Sequence, residues 1–106
     1  VVTNPPYMGA SGMNAKLSEY VKSNYPDSKS DLFAVFIEKW NKMLVMYGYN
    51  CMVTMQSWMF LSSFEKIRTN ILSTKNITNL MHMENMVMGI AFGTAVTVFR
   101  NVHVPN

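Results

Sequence analysis

An α/β fold is predicted by three features of this 106-residue sequence: short apolar runs with β-branched residues alternate with amphipathic helical stretches, a Pro-Pro turn closes the first run, and the last two strand-like runs have no helix between them. Such alternation implies strands joined by right-handed crossovers.

Taken in order, Val1-Val2-Thr3 reads as the end of a strand and Asn4-Pro5-Pro6-Tyr7 as the turn after it. Residues 8 to 30 mix Gly9, Gly12, Pro26 and several serines, with a short helical patch over about 13 to 22. Long connections of this kind are usually functional or mobile. Asp31 caps the next helix, where Leu32, Phe33, Phe36, Trp40, Met43, Leu44 and Tyr47 recur at helical spacing. Glu38, Lys39, Asn41 and Lys42 take its opposite face, and Gly48 is its stop. Residues 50 to 55, apolar with Val and Thr, fit a short buried parallel strand. Residues 57 to 61 turn away from it. Ser62 or Ser63 then starts a helix sending Phe64, Ile67, Ile71 and Leu72 inward and Glu65, Lys66 and Arg68 outward. A strand over 76 to 82, a Met-rich loop over 83 to 91 and a strand over 94 to 101 complete the order.

With 49% hydrophobic and 14% charged residues, the chain is rich in core and poor in surface, as expected of half a sheet domain separated from its other half. The net charge of +3 is compatible with a phosphate-backbone partner and too small to argue for one. Cys51, the single cysteine, excludes an internal disulfide and reads as a small buried core residue. His82 and His103 lie far apart and offer no zinc spacing. No run reaches the roughly 18 apolar residues of a membrane span, so a cytoplasmic protein is expected and the sequon Asn76-Ile77-Thr78 is a chance match. Met43, Met52 and Met55 read as core gap-fillers, whereas Met81, Met83, Met86 and Met88 cluster as a soft contact surface in a loop. Lys16, Lys22 and Lys29 in the long connection are phosphate contacts or simply solvated charges.

The tetrapeptide speaks most directly about chemistry. Two successive prolines hold φ near the polyproline value and remove two N–H donors, so the turn presents acceptors and donates little. A ligand bringing its own donors suits it, such as an exocyclic amine on a flat heteroaromatic ring. The Asn4 side-chain oxygen and the Pro5 carbonyl can each accept one amine hydrogen, and Tyr7 can stack on the ring, a contact worth about 1–3 kcal/mol. Accepting both hydrogens localises the nitrogen lone pair and aims it out of plane at an electrophile. The plainer account is a strand terminator with Tyr7 covering a core edge, and the four letters alone leave both open.

The ordered series Asn4-Pro5-Pro6-Tyr7-Met8-Gly9, Met13-Asn14-Ala15-Lys16-Leu17 and Tyr25-Pro26-Asp27-Ser28-Lys29-Ser30-Asp31-Leu32-Phe33-Ala34-Val35-Phe36-Ile37-Glu38 resembles the large adenine-specific DNA methyltransferases of bacterial restriction and phage-exclusion (BREX, PglX-like) systems. The resemblance covers nearly the whole chain. It implies the second half of a Rossmann-like S-adenosylmethionine-dependent methyltransferase sheet, mostly parallel with an antiparallel last strand inserted beside the fifth. It implies methyl transfer from S-adenosylmethionine to a flipped adenine in double-stranded DNA, with Asn4, Pro5, Pro6 and Tyr7 as the catalytic turn. Phe92, in Ala91-Phe92-Gly93-Thr94, holds the place of the aromatic that covers the other face of the base; a core anchor ahead of a glycine turn is the other account of it. Gln56-Ser57-Trp58 would lie at a strand's carboxyl end near the pocket mouth, although Trp58 reads better as an edge-of-core residue.

In that family the cofactor loop precedes Asn-Pro-Pro-Tyr. Residues 1 to 106 are therefore expected to be one partial catalytic domain, the target-adenine half, inactive alone, with cofactor contacts outside it. Related enzymes with the same tetrapeptide methylate protein glutamine or RNA, and a non-catalytic recognition or assembly module beside other subunits of a defence complex is a further alternative. An uncovered sheet edge would favour self-association.

Overall fold

The computed structural model describes residues 1–83 and 94–103. Within them, β1 (Val2–Thr3), α1 (Ala15–Asn24), α2 (Leu32–Lys42), β2 (Tyr49–Met55), α3 (Glu65–Thr74), β3 (Asn76–Met83) and β4 (Thr94–Arg100) follow one another. The sheet order is β1-β2-β4-β3. β1 pairs parallel to β2, and β4 lies antiparallel between β2 and β3. Three strands thus run one way and the last inserts against them, as the family resemblance implies.

Asparagine and aspartate start the two helices of the first half. Asn14 Oδ1 accepts the Leu17 N–H at 2.8 Å and Asp31 Oδ1 the Phe33 N–H at 3.2 Å, each satisfying an orphan donor of a first turn. Phe33, Ala34 and Ile37 of α2 meet Phe64, Ile67 and Ile71 over Met52, Trp58 and Phe99, all fully or nearly buried. Each large side chain so buried contributes about 1.5–3 kcal/mol. These residues define one covered face of the sheet.

The opposite face differs from expectation. The 50 to 55 run is not buried on both sides: Asn50, Met52 and Thr54 are buried, whereas Cys51, Val53 and Met55 are half-buried. Cys51 sits in register with Val2 and Val98, away from α2 and α3, so it is not the enclosed core residue its apolar neighbours imply. Leu72 is likewise exposed, because Ile67 and Ile71 already define the inward stripe of α3 and Leu72 lies about 100° around from Ile71. Arg68 is half-buried rather than outward, donating to the Trp58 and Leu61 carbonyls at 3.0 and 2.6 Å.

α2 ends at Lys42, a turn before Gly48. Asn101 Nδ2 donates to the Leu44 and Val45 carbonyls at 3.0 and 3.2 Å, and Tyr47 takes a φ of 64°, so Met43, Leu44 and Tyr47 are not helix-core positions. Met43 and Tyr47 are exposed. Asn41 moves the other way: it is buried and its Oδ1 accepts from Asn50 Nδ2 at 3.0 Å. Met81 and Met83 lie within β3 rather than in a loop, and Met86 and Met88 lie outside the described residues.

Gly48 keeps a role, through close approach. A Cβ there would stand 2.9 Å from the Val45 carbonyl oxygen, a backbone atom that cannot swing aside. Gly48→Ala is therefore expected to lower stability by about 1–3 kcal/mol; an unchanged urea midpoint would show that the turn yields.

Candidate functional site

β1 and β2 run parallel, so their carboxyl ends open on one edge of the sheet, where open α/β folds bind ligands. Asn4-Pro5-Pro6-Tyr7 leaves β1 at that edge and Gln56–Met59 leaves β2 beside it as a short 3₁₀ turn. Pro5 is buried, Asn4 and Pro6 are exposed and Tyr7 is half-buried. Among the described residues no group hydrogen-bonds the Asn4 side chain or the Pro5 carbonyl.

Tyr7 is held from several directions. Its hydroxyl donates to the Val53 carbonyl of β2 at 3.0 Å. Its ring meets Phe33 edge to face, with centroids 5.7 Å apart and planes at 72°. The peptide following it is fixed as well, since the Met8 N–H donates to Asp31 Oδ1 at 3.0 Å. Burial first, and the nearby Asp31 carboxylate second, raise the Tyr7 phenol above its ordinary pKa of 10.0. The neutral phenol is the form that can donate to Val53.

The structure thus brings Asn4, Pro5, Pro6 and Tyr7 together. Phe92 lies outside the described residues. Trp58 is a core residue, as its apolar setting predicts: its Nε1 donates to Thr54 Oγ1 at 3.0 Å and its ring packs 5.8 Å from Phe99. Lys16, Lys22 and Lys29 are exposed, as is His103. Two contributors escaped sequence reasoning. The Val53 carbonyl has no signature in any side chain, and the second hydrogen bond to Asp31 is hidden behind its capping role.

The turn offers acceptors, Asn4 Oδ1 and the Pro5 carbonyl, and so suits a ligand that brings N–H donors of its own. A Cβ at Gly9 or Gly12 would find ordinary van der Waals contacts, 3.9 Å to Asp31 Oδ2 and 3.4 Å to Met8 Cγ. Neither glycine is therefore required by close backbone approach.

This half-sheet, with an antiparallel last strand and an acceptor-rich turn at its carboxyl edge, has the fold of S-adenosylmethionine-dependent methyltransferases. A crystal structure of a class I S-adenosylmethionine-dependent methyltransferase from Listeria monocytogenes superposes on the whole chain with a TM-score of 0.73 at 14% identity, the chain covering 32% of it. The family model of the Eco57I restriction-modification methylases matches residues 1–87, and the chain belongs to that family. It is 45% identical, over 97% of its length, to the adenine-specific methyltransferase BrxX of Escherichia coli O9:H4 (strain HS). It is 46% identical, over 77% of its length, to the adenine-specific methyltransferase PglX of Lacticaseibacillus casei (strain Zhang). The chain spans 9% and 7% of those two relatives.

The raised Tyr7 pKa carries a sign. The folded state favours the neutral phenol, so the stabilisation is complete below the ordinary value of 10.0 and is lost as pH rises through the raised one. Tyr7→Phe, which keeps the ring and deletes the donor, is expected to cost about 0.5–1.5 kcal/mol at neutral pH. The difference between the two proteins should stay flat from about pH 7 to 9 and shrink above about pH 10. A gap that grows with alkalinity would contradict a neutral, donating phenol.

Proposed function

We propose that this chain is the target-base half of a site-specific DNA adenine N6-methyltransferase from a restriction-modification or phage-defence system. The observation that carries the reading is the exposed amide of Asn4, without a hydrogen-bond partner among the described residues, near a Tyr7 whose hydroxyl and following peptide are both held, at the carboxyl edge of a parallel strand pair. In this reading Asn4 Oδ1 and the Pro5 carbonyl accept the two amine hydrogens of a flipped adenine. Pro6 keeps the turn stiff, and Tyr7 supplies one stacking face. Phe92 is proposed to supply the other. S-adenosylmethionine, bound mainly by residues beyond this chain, supplies an electrophilic methyl group. No side chain here need act as a strong base, because polarising the amine and placing it carries the protein's share of the work.

The substrate is double-stranded DNA, in the cytoplasm, with other subunits of a defence complex as possible neighbours of the full-length protein. Exposed Lys16, Lys22 and Lys29 are suited to phosphates. Among the described residues, no helix is long and apolar enough to cross a membrane. The 106-residue piece alone is proposed to be inactive.

In the full-length protein, Asn4→Ala is expected to lower adenine methylation at the modified site at least about 100-fold, the loss typical of an aimed polar group. Single-base sequencing of adenine methylation in cells carrying either form measures this. Methylation of protein glutamine or RNA in place of DNA would move the reading to those substrates. No methyl transfer by the wild type would favour a non-catalytic assembly module.

The outer edge of β1 carries no strand among the described residues, and Val2 is 86% exposed. The isolated chain is accordingly expected to associate through that edge. Light scattering showing only monomer at high concentration would count against it.

A further inference from the structure

The long connection after Tyr7 returns to the place it left. The Met8 N–H donates to Asp31 Oδ1 at 3.0 Å, the Leu32 N–H to the Met8 carbonyl at 2.9 Å, and the Ala10 N–H to the Ser30 carbonyl at 3.1 Å. Gly9 and Asp31 form an isolated antiparallel bridge between them. Residues 11 to 29, including α1, thus leave and re-enter through a clamp of three hydrogen bonds.

Asp31 occupies the centre of that clamp. The same carboxylate oxygen, Oδ1, accepts from Met8 on the motif side and from Phe33 on the helix side. Phe33 is the residue whose ring meets Tyr7, and Met8 is the residue joined to the Tyr7 carbonyl. One oxygen therefore fixes both the peptide that follows Tyr7 and the start of the helix on which Tyr7 leans. Helix capping alone needs only the Phe33 bond. The bond to Met8 goes beyond it.

We infer that Asp31 is a positioning residue of the pocket: through the Met8 N–H and the α2 N-terminus it sets the Tyr7 ring and, one turn earlier, the Asn4 amide. The inference rests on the methyltransferase reading for its consequence and on hydrogen-bond geometry for its substance. Both hydrogen bonds of Asp31 come from main-chain N–H groups of this chain, so its removal is expected to act on the rate of a correctly bound complex and to leave the KM for S-adenosylmethionine unchanged. A misplacement of about 1 Å in such a site costs about 100-fold.

Three substitutions in the full-length protein separate positioning from capping. Asp31→Asn keeps an oxygen at the same reach and accepts both N–H groups. Asp31→Ser keeps a good cap, since serine and aspartate rank together at this position, but sets its oxygen back by one bond, away from Met8. Leu32→Pro deletes the Leu32-to-Met8 bond while placing proline at the first helical position, where it is favoured. Asp31 is already extended, with φ −153° and ψ 145°, as a residue before proline must be.

Two readouts are taken, hydrogen exchange of the peptide containing Met8 to Ala10 and steady-state methyl transfer. Asp31→Ser and Leu32→Pro are expected to speed exchange of that peptide about tenfold or more and to lower kcat about 10- to 100-fold. KM for S-adenosylmethionine and the Tm should hold, and Asp31→Asn should stay within about threefold of wild type. If Asp31→Ser and Leu32→Pro both leave exchange and kcat within about threefold of wild type, the inference is overturned. A wild type that methylates no DNA yet shows the exchange difference overturns the proposed function and upholds the clamp.

Discussion

The register of β2 is the constraint on which the rest of this half-domain depends. Successive side chains alternate between faces, so a slip of one residue would exchange Asn50, Met52 and Thr54 for Cys51, Val53 and Met55. Hydrophobicity discriminates weakly between those two sets. Polar partners discriminate strongly: Asn50 bonds Asn41 on α2, and Thr54 accepts from Trp58 in the following turn. Either bond broken in the covered face would leave a buried polar group at a cost of about 1–3 kcal/mol. The register that makes these two bonds, while leaving Asn41 Nδ2 and Asn50 Oδ1 without a partner among the described residues, also turns the Val53 carbonyl toward the Tyr7 hydroxyl. A core requirement on one face of the strand therefore sets the geometry of the motif.

The order of elements was legible because it rests on local signals. Asn14 and Asp31 announce helix starts, and the run Thr94 to Arg100 is β-branched on a strand's period. Helix ends were less legible. α2 stops at Lys42 because Asn101, from beyond β4, reaches the Leu44 and Val45 carbonyls, a contact across 57 and 56 residues that no window of sequence contains. Asn41 was missed for a different reason: its place on the polar side of a helical wheel gives way to Asn50, nine residues on, which the turn after α2 brings back over the helix. Cys51 and Leu72 show the converse, apolar residues on surfaces that α2 and α3 do not cover.

The tetrapeptide itself was legible as chemistry, since proline removes donors and asparagine supplies an oxygen whatever surrounds them. What held it in place was not. Tyr7 is fixed by Val53, 46 residues on, and Met8 by Asp31, 23 residues on. One of those acceptors is a main-chain carbonyl, and the other is a side chain whose local capping role already accounts for it.

These contacts explain why so short a motif can carry a demanding geometry. A turn with two prolines is stiff along its own length and still needs anchoring at each end; β1, in register with Cys51 and Met52, holds the near end. Stiffness without anchoring would leave the Asn4 amide well shaped and badly aimed. Tyr7 supplies the anchor at the far end of the turn, and it does so only while its phenol is neutral and able to donate. Burial and the Asp31 carboxylate both push its pKa upward, in the direction that preserves the donor. At neutral pH the phenol is neutral whether or not Asp31 is charged, so what matters of Asp31 there is the position of its oxygen, which accepts the Met8 and Phe33 N–H groups on either side of the Tyr7 ring.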